Sequence, residues 1–202
     1  MRYDILRNMV KIIAIAGGTG AGKSTLCIAL QDKYPEIGLV QLDDYFKPAK
    51  DIATINGIEN WDHPDSLYLD KLASDLQELS KERSVVINTK SERLNPDYRK
   101  TKKRIPVRFD PKPIMLVEGF LVLYDERIRS LLTTSIWLDV PHDIRWARRI
   151  QFKDSGYEEK VLKPMQKQYV EPTRQYAAHI IDVSQISKED VLREVEKIIF
   201  TV

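Results

Sequence analysis

The chain has one cysteine, Cys27, in 202 residues, so no intrachain disulfide can staple it. That scarcity fits a reducing compartment, and Cys27 falls on the apolar face of a helical pattern, where it reads as a core residue. Excess charge of one sign is also lacking. The 32 Lys and Arg against 30 Asp and Glu leave a formal net charge of +2, which excludes a global field that would gather nucleic acid. No apolar run approaches the roughly 20 residues that a membrane-spanning helix needs. Residues 1–9 interrupt their apolar stretch with Arg2, Asp4 and Arg7, unlike the core of a secretory signal. A cytoplasmic protein is expected. The three histidines, His63, His142 and His179, show no metal-ligand spacing with one another or with Cys27. No internal repeat occurs, and no Asn-Lys-x-Asp tetrapeptide or Asp-x-x-Gly follows the glycine-rich stretch, which argues against a guanine-nucleotide switch.

What is present centres on Ile12 to Thr25, an apolar run followed by glycines, a lysine and two hydroxyls. Gly17, Gly22, Lys23 and Ser24 fit G-x-x-x-x-G-K-[ST], with a strand pattern before and a helical pattern, Thr25 to Tyr34, after. The stretch Gly17, Gly18, Thr19, Gly20, Ala21, Gly22, Lys23, Ser24 and Thr25 therefore reads as a phosphate-binding loop. Glycines let backbone N–H groups converge without Cβ clashes, and a helix N-terminus favours an anion. Lys23 would bridge the β- and γ-phosphates of a nucleotide, and the Ser24 hydroxyl would ligate Mg²⁺.

Short apolar strands alternate with longer helical patterns, so the expected fold is α/β, a doubly wound and mostly parallel sheet in one domain spanning 1–202. Strands are predicted at Lys11 to Ala16, Gly38 to Leu42, Ser84 to Thr89, Ile114 to Glu118, Thr134 to Asp139 and His179 to Asp182. Ser66 to Ser80 carries leucines at helical spacing opposite Lys71, Asp75 and Glu78, which predicts an amphipathic helix. Ser187-Lys188-Glu189-Asp190 opens the closing helix with a capping-box pattern. Ligands of open α/β sheets sit beyond the carboxyl ends of the strands. There the chain places Asp43 and Asp44 after the second strand and Glu118 at the end of the fourth. Such carboxylates hold Mg²⁺ or accept a proton from an attacking hydroxyl. Arg145, Arg148 and Arg149 are three and four residues apart, so in a helix Arg145 shares a face with both of the others.

These motifs resemble the uridine kinase and phosphoribulokinase group of P-loop kinases, nicotinamide riboside kinases included. The resemblance spans nearly the whole chain. It rests on Gly17 to Thr25, Asp43-Asp44-Tyr45-Phe46-Lys47-Pro48, Asn60-Trp61-Asp62-His63-Pro64-Asp65, Val117-Glu118-Gly119, Arg145 to Arg149, and Pro164-Met165 through Glu171-Pro172. It implies a nucleoside kinase-like P-loop fold with a small helical lid at about 145–160 and the use of ATP and Mg²⁺. It implies a uridine kinase-like transfer of phosphate to the primary hydroxyl of a ribose-containing small molecule. In that scheme Asp43, Lys23 and Arg148 are catalytic, and Ser24 and Glu118 organise the metal. Arg149 contacts the nucleotide, while Phe46, Trp61, Asp62 and Arg145 hold the acceptor. Two departures bear on which acceptor is used. Uridine kinases follow the third strand with a Tyr-Asp-Phe and histidine segment, whereas here the chain runs Thr89-Lys90-Ser91-Glu92-Arg93, and Phe152-Lys153-Asp154 replaces a second lid arginine. Asn56-Gly57 and the segment after Asp43 look closer to nicotinamide riboside kinases, so that acceptor stands as an alternative and oligomeric state stays open.

Trp61 lies in a turn-rich stretch and is expected to be exposed and to stack a flat base. Lys23 is expected to be an exposed charge holder outside the core. Arg93 to Arg108 holds seven basic residues without apolar periodicity and reads as an exposed excursion over the site, where it would recruit an anionic substrate or a partner subunit. A nucleic-acid-gripping, NTP-dependent factor is the alternative from another class, disfavoured by the near-zero net charge.

Overall fold

Strand β1 (Lys11–Ala16) sorts its side chains by parity. Ile12, Ala14 and Ala16 enter one apolar layer, while Ile13 and Ile15 enter a second on the opposite face. A strand buried on both faces needs a continuous apolar run, the pattern of a central parallel strand. The computed structural model describes residues 10–55, 57–147 and 156–202. After β1 come α1 (Lys23–Lys33), β2 (Ile37–Gln41), the two-residue strands β3 (Thr54–Ile55) and β4 (Ile58–Glu59), and α2 (Leu69–Ser80). Then follow β5 (Val85–Thr89), α3 (Tyr98–Thr101), β6 (Ile105–Phe109), β7 (Ile114–Glu118), α4 (Glu126–Arg129), β8 (Thr134–Asp139) and α5 (His142–Ala147). A run of helical turns containing α6 (Lys163–Met165) leads to β9 (His179–Asp182) and α7 (Lys188–Thr201).

Five strands form one parallel sheet in the order β2-β7-β1-β8-β9, with Ile13 opposite Leu116 and Ile136 opposite His179. Helix α2 covers one face through Leu72, Leu76 and Leu79. Helices α1 and α7 cover the other through Cys27, Leu30, Val195 and Ile199. Ser187 caps α7, its hydroxyl accepting from the Asp190 N–H at 3.1 Å. The doubly wound parallel architecture is therefore the one the sequence predicts.

Three expectations are corrected. The Ser84 to Thr89 strand exists as β5, but it pairs antiparallel with β6 in a ribbon outside the sheet. Its alternating burial, with Val85, Ile87 and Thr89 inward and Val86 and Asn88 outward, suits a half-covered ribbon. The basic excursion is accordingly not loop throughout, since its end forms β6. Asp75, placed by periodicity on the polar face of α2, is buried and accepts from the Tyr45 hydroxyl at 2.8 Å and from Lys71 at 2.7 Å. Burial and the adjoining Asp75 carboxylate keep the Tyr45 phenol neutral by raising its pKa.

Candidate active site

The loop between β1 and α1 crosses the carboxyl end of the sheet, and close packing explains its glycines. A Cβ on Gly17, whose φ is +138°, would lie 2.6 Å from the Leu138 carbonyl oxygen. A Cβ on Gly18 would lie 2.1 Å from the Arg145 guanidinium. Gly22 caps α1 with no side-chain hydrogen bond, so the first N–H groups of the helix retain their capacity for an anion. Lys23 is buried, at 7% exposure, which corrects the expectation of an exposed charge. Its ammonium folds back to donate to the Gly17 and Gly18 carbonyls, both at 3.0 Å. Burial lowers its pKa, and Glu118 and Asp43 oppose that shift.

A cavity of about 500 Å³ opens in front of this loop, lined in part by Thr19, Gly20, Lys23 and Ser24. Asp43, Phe46, Trp61, Asp62, Glu118 and Tyr157 continue its wall. Ser24 donates to Glu118 Oε1 at 2.8 Å, and Gln41 donates to the same oxygen at 3.2 Å. Desolvation raises the Glu118 pKa, with Lys23 and the two hydrogen bonds acting the other way. A hydroxyl, a buried carboxylate and a neighbouring aspartate beside an anion-binding loop form an all-oxygen donor set, the chemistry that suits Mg²⁺. These residues fit a metal-bound nucleotide.

Asp43 and Asp44 follow β2 in a single helical turn, Leu42–Tyr45, and their roles diverge. Asp43 lines the cavity with its side chain 49% exposed and its carboxylate 2.9 Å from the Lys90 ammonium. Asp44 is buried and accepts from the Thr89 hydroxyl at 2.8 Å and the Lys90 N–H at 2.7 Å. Burial raises its pKa against those bonds. Asp44 thus ties the turn to β5, while Asp43 is the one of the two that lines the cavity.

The acceptor candidates Phe46, Trp61 and Asp62 line the same cavity. Asp62 accepts from the Tyr157 hydroxyl at 2.5 Å, which joins the turn after β4 to the start of the helical run at Glu158–Leu162. Trp61 is half-buried and only partly free to stack on a ligand. It meets Phe46 edge-to-face at 5.6 Å, donates from Nε1 to Glu59 at 2.8 Å, and packs on the cluster of Tyr157, Val161, Leu162 and Met165. Arg145 does not line this cavity. It is buried behind the loop, donating to the Val140 carbonyl at 2.9 Å, the Gln166 side chain at 2.6 Å and the Thr19 carbonyl at 3.3 Å. Burial lowers its pKa. Arg148 and Arg149 lie outside the described residues.

The sequence reading missed Gln41, Lys90, Tyr98, Arg104 and Tyr157. Arg104 donates to the carbonyls of Asp43, Asp44 and Phe46 at 3.3, 3.1 and 2.8 Å, clamping the turn that presents Asp43. Its signal was a basic segment whose partners are backbone atoms about 60 residues away. Thr25 faces a second cavity of about 570 Å³, walled by Leu138, Val183, Ile186 and Leu192.

Comparison with known proteins agrees with this geometry. The profile of the phosphoribulokinase/uridine kinase family matches residues 12–191. A uridine kinase of Streptococcus pyogenes serotype M5 is 34% identical over 197 residues, covering 90% of this chain and 92% of the relative. A uridine kinase of Borrelia hermsii is 32% identical over 184 residues, covering 86% of each. Among solved structures, a possible uridine kinase from Bacillus stearothermophilus superposes with a TM-score of 0.62 at 14% identity, covering 89% of this chain and 94% of that one. A putative fructose transport system kinase from Silicibacter superposes at 0.61 with 18% identity, covering 86% and 90%. Both structures speak to the fold alone. With the loop, the paired acidic turns and the matched profile together, the chain belongs to the phosphoribulokinase/uridine kinase family.

Proposed function

We propose that the protein transfers the γ-phosphoryl group of ATP to the primary hydroxyl of a ribose-bearing small molecule, as a uridine kinase-like nucleoside kinase. The observation that carries this reading is one cavity lined both by the phosphate loop and by Asp43, Trp61 and Asp62. Lys23 and the α1 N-terminus bind the nucleotide phosphates, and the apolar second cavity beside Val183 and Ile186 suits the adenine ring. Ser24 and Glu118 would hold Mg²⁺, which when bound neutralises charge on the phosphates.

Asp43 takes the proton of the acceptor hydroxyl as that oxygen forms its bond to the γ-phosphorus. The bond from phosphorus to the β–γ bridging oxygen breaks, and its electron pair leaves with ADP. Asp62, fixed by Tyr157, orients the ribose hydroxyls so that the primary hydroxyl meets Asp43. Arg148 and Arg149 remain candidates for stabilising charge on the phosphoryl oxygens. A screen of nucleosides, nicotinamide riboside and pantothenate with MgATP, scored by substrate-dependent ADP release, tests the proposal. If no acceptor raises ADP above background, the reading fails.

A further inference from the structure

Gln41 is the last residue of β2, and the parallel register of β2 with β7 sets it opposite Glu118. On the other side Glu118 lies opposite Ile15 of β1, just before the phosphate loop. Its carboxylate is therefore reached from both neighbours, by Ser24 from the loop after β1 and by Gln41 from β2 itself. Ser24 Oγ donates at 2.8 Å and Gln41 Nε2 at 3.2 Å, both to the same oxygen, Oε1. Oε2 accepts from none of the described residues. Nor is it sealed in the core, because among the described residues the buried side-chain polar atoms without a partner are Asn60 Oδ1 and Gln166 Nε2. With Glu118 on the cavity wall, Oε2 is the oxygen left to the ligand space.

The last torsion of a glutamate is broad and nearly two-fold, so a carboxylate held by one donor can rock or exchange its oxygens. Two donors arriving on one oxygen from different elements stop that motion. Mg²⁺ demands near-ideal octahedral geometry, and the groups that hydrogen-bond a ligating carboxylate set how it points. Ser24 is itself a candidate ligand, whereas Gln41 does not line the cavity and acts on Glu118 alone. We infer that Gln41 is a positioning residue, whose amide fixes the Glu118 carboxylate that would hold a nucleotide-bound divalent cation. The inference rests on the kinase reading of this cavity and adds to it a residue that touches neither cation nor nucleotide.

Mn²⁺ is the probe that tests it. The ion is titrated into the full chain saturated with ADP, and free Mn²⁺ is counted by electron paramagnetic resonance. In Gln41→Leu the affinity for Mn²⁺ should fall about tenfold, the low end of the usual cost of removing a group behind a metal ligand. Binding of ADP without metal, measured by calorimetry in chelator, should stay within about twofold of native. The loss must also run through Glu118, so the double variant Gln41→Leu with Glu118→Gln should bind Mn²⁺ no worse than Glu118→Gln alone. Gln41→Thr, whose side chain is too short to reach Oε1, should repeat the loss on an edge strand that suits threonine, should leucine fail to fold there. Three results overturn the inference and leave the kinase reading intact: near-native Mn²⁺ affinity in both variants, a matched loss of metal-free ADP binding, or an equal further loss in the Glu118→Gln background. No Mn²⁺ binding by the native chain overturns both. A tenfold loss that runs through Glu118, in a protein that releases no ADP with any acceptor, sustains the inference and overturns the kinase reading instead.

Discussion

Ser24 Oγ stands 2.8 Å from Glu118 Oε1, so a hydroxyl of the phosphate loop and the end of β7 meet although 94 residues separate them in sequence. The contact follows from the parallel pairing of β1 with β7, which brings both strand ends to one edge of the sheet. Glu118 is buried there next to Lys23, and its carboxylate occupies a position suited to a metal that the protein chain alone does not supply.

Replacing Glu118 should therefore separate stability from function. Burial raises its pKa, so the folded chain holds this proton more tightly than the unfolded chain. The stability linked to that proton is fully present below the unfolded carboxyl range and is lost as pH rises through the raised folded value. Above that raised value the native protein bears a buried charge that Glu118→Gln lacks. The variant should melt higher at pH 7, by about 2 to 4 °C for each 1 kcal/mol relieved in a chain of this size. The advantage should disappear below about pH 4.5, the carboxyl's ordinary value. Thermal melts across pH check the sign, and the added stabilisation by MgATP should be smaller in the variant. A variant that melts lower at pH 7 would show Glu118 to be chiefly a structural acceptor for Ser24 and Gln41.

The parts of the site that sequence reveals are those whose chemistry is local. Gly17 to Ser24 is readable because one short segment supplies the donors, the lysine and the hydroxyl, and Asp43 and Glu118 because strand ends face the ligand edge of the sheet. Arg104 and Lys90 were not readable, since their roles depend on how the β5–β6 ribbon folds onto the turn after β2, a pairing with no periodic signature. Asp75 shows the converse error: helical spacing put it on the wet face, and the Tyr45 hydroxyl draws it inward. Arg145 lies on helix α5, but the space it fills lies behind the loop, where Gly18 leaves room for it.

Lys23→Met should lower turnover by about 10²- to 10³-fold, the usual consequence of removing a preorganised cation from developing phosphate charge. The fold should tolerate the change because methionine fills the same buried channel. Burial depresses the Lys23 pKa, so the native protein binds this proton less tightly than the unfolded chain. The native chain should accordingly gain stability over Lys23→Met as pH climbs into the lysine range. Steady-state rates and melts at several pH values measure both effects, and turnover within tenfold of native would remove Lys23 from the catalytic set.

Asp43→Asn should reduce kcat by about 10²- to 10⁴-fold, the range of general-base contributions, while leaving the KM for ATP within a few-fold. The amide keeps the shape of the carboxylate but cannot take the hydroxyl proton, and it releases Lys90 from its 2.9 Å ion pair. Substituting an acceptor whose hydroxyl is more acidic should recover part of the loss. If kcat and the KM for ATP change together, Asp43 serves the nucleotide and not the acceptor.

Arg104 gives the sharpest test of how the turn is held. Its guanidinium bonds to three carbonyls on the segment Asp43 to Phe46, a fork that one ammonium cannot reproduce. Without it the turn keeps the Asp44 bonds to Thr89 and Lys90, so the fold should persist while Asp43 loses fixed placement. Misplacement of a reacting group by about 1 Å can cost about 10²-fold in rate. With a neutral acceptor, Arg104→Ala should lower kcat by about 10- to 100-fold and leave the KM for ATP near native. Arg104→Lys should recover only a small part, and free guanidinium added at millimolar concentration should rescue Arg104→Ala more than it affects the native protein. A purely structural role predicts otherwise: the melting temperature would fall by many degrees, both substrates would be affected alike, and guanidinium would not rescue.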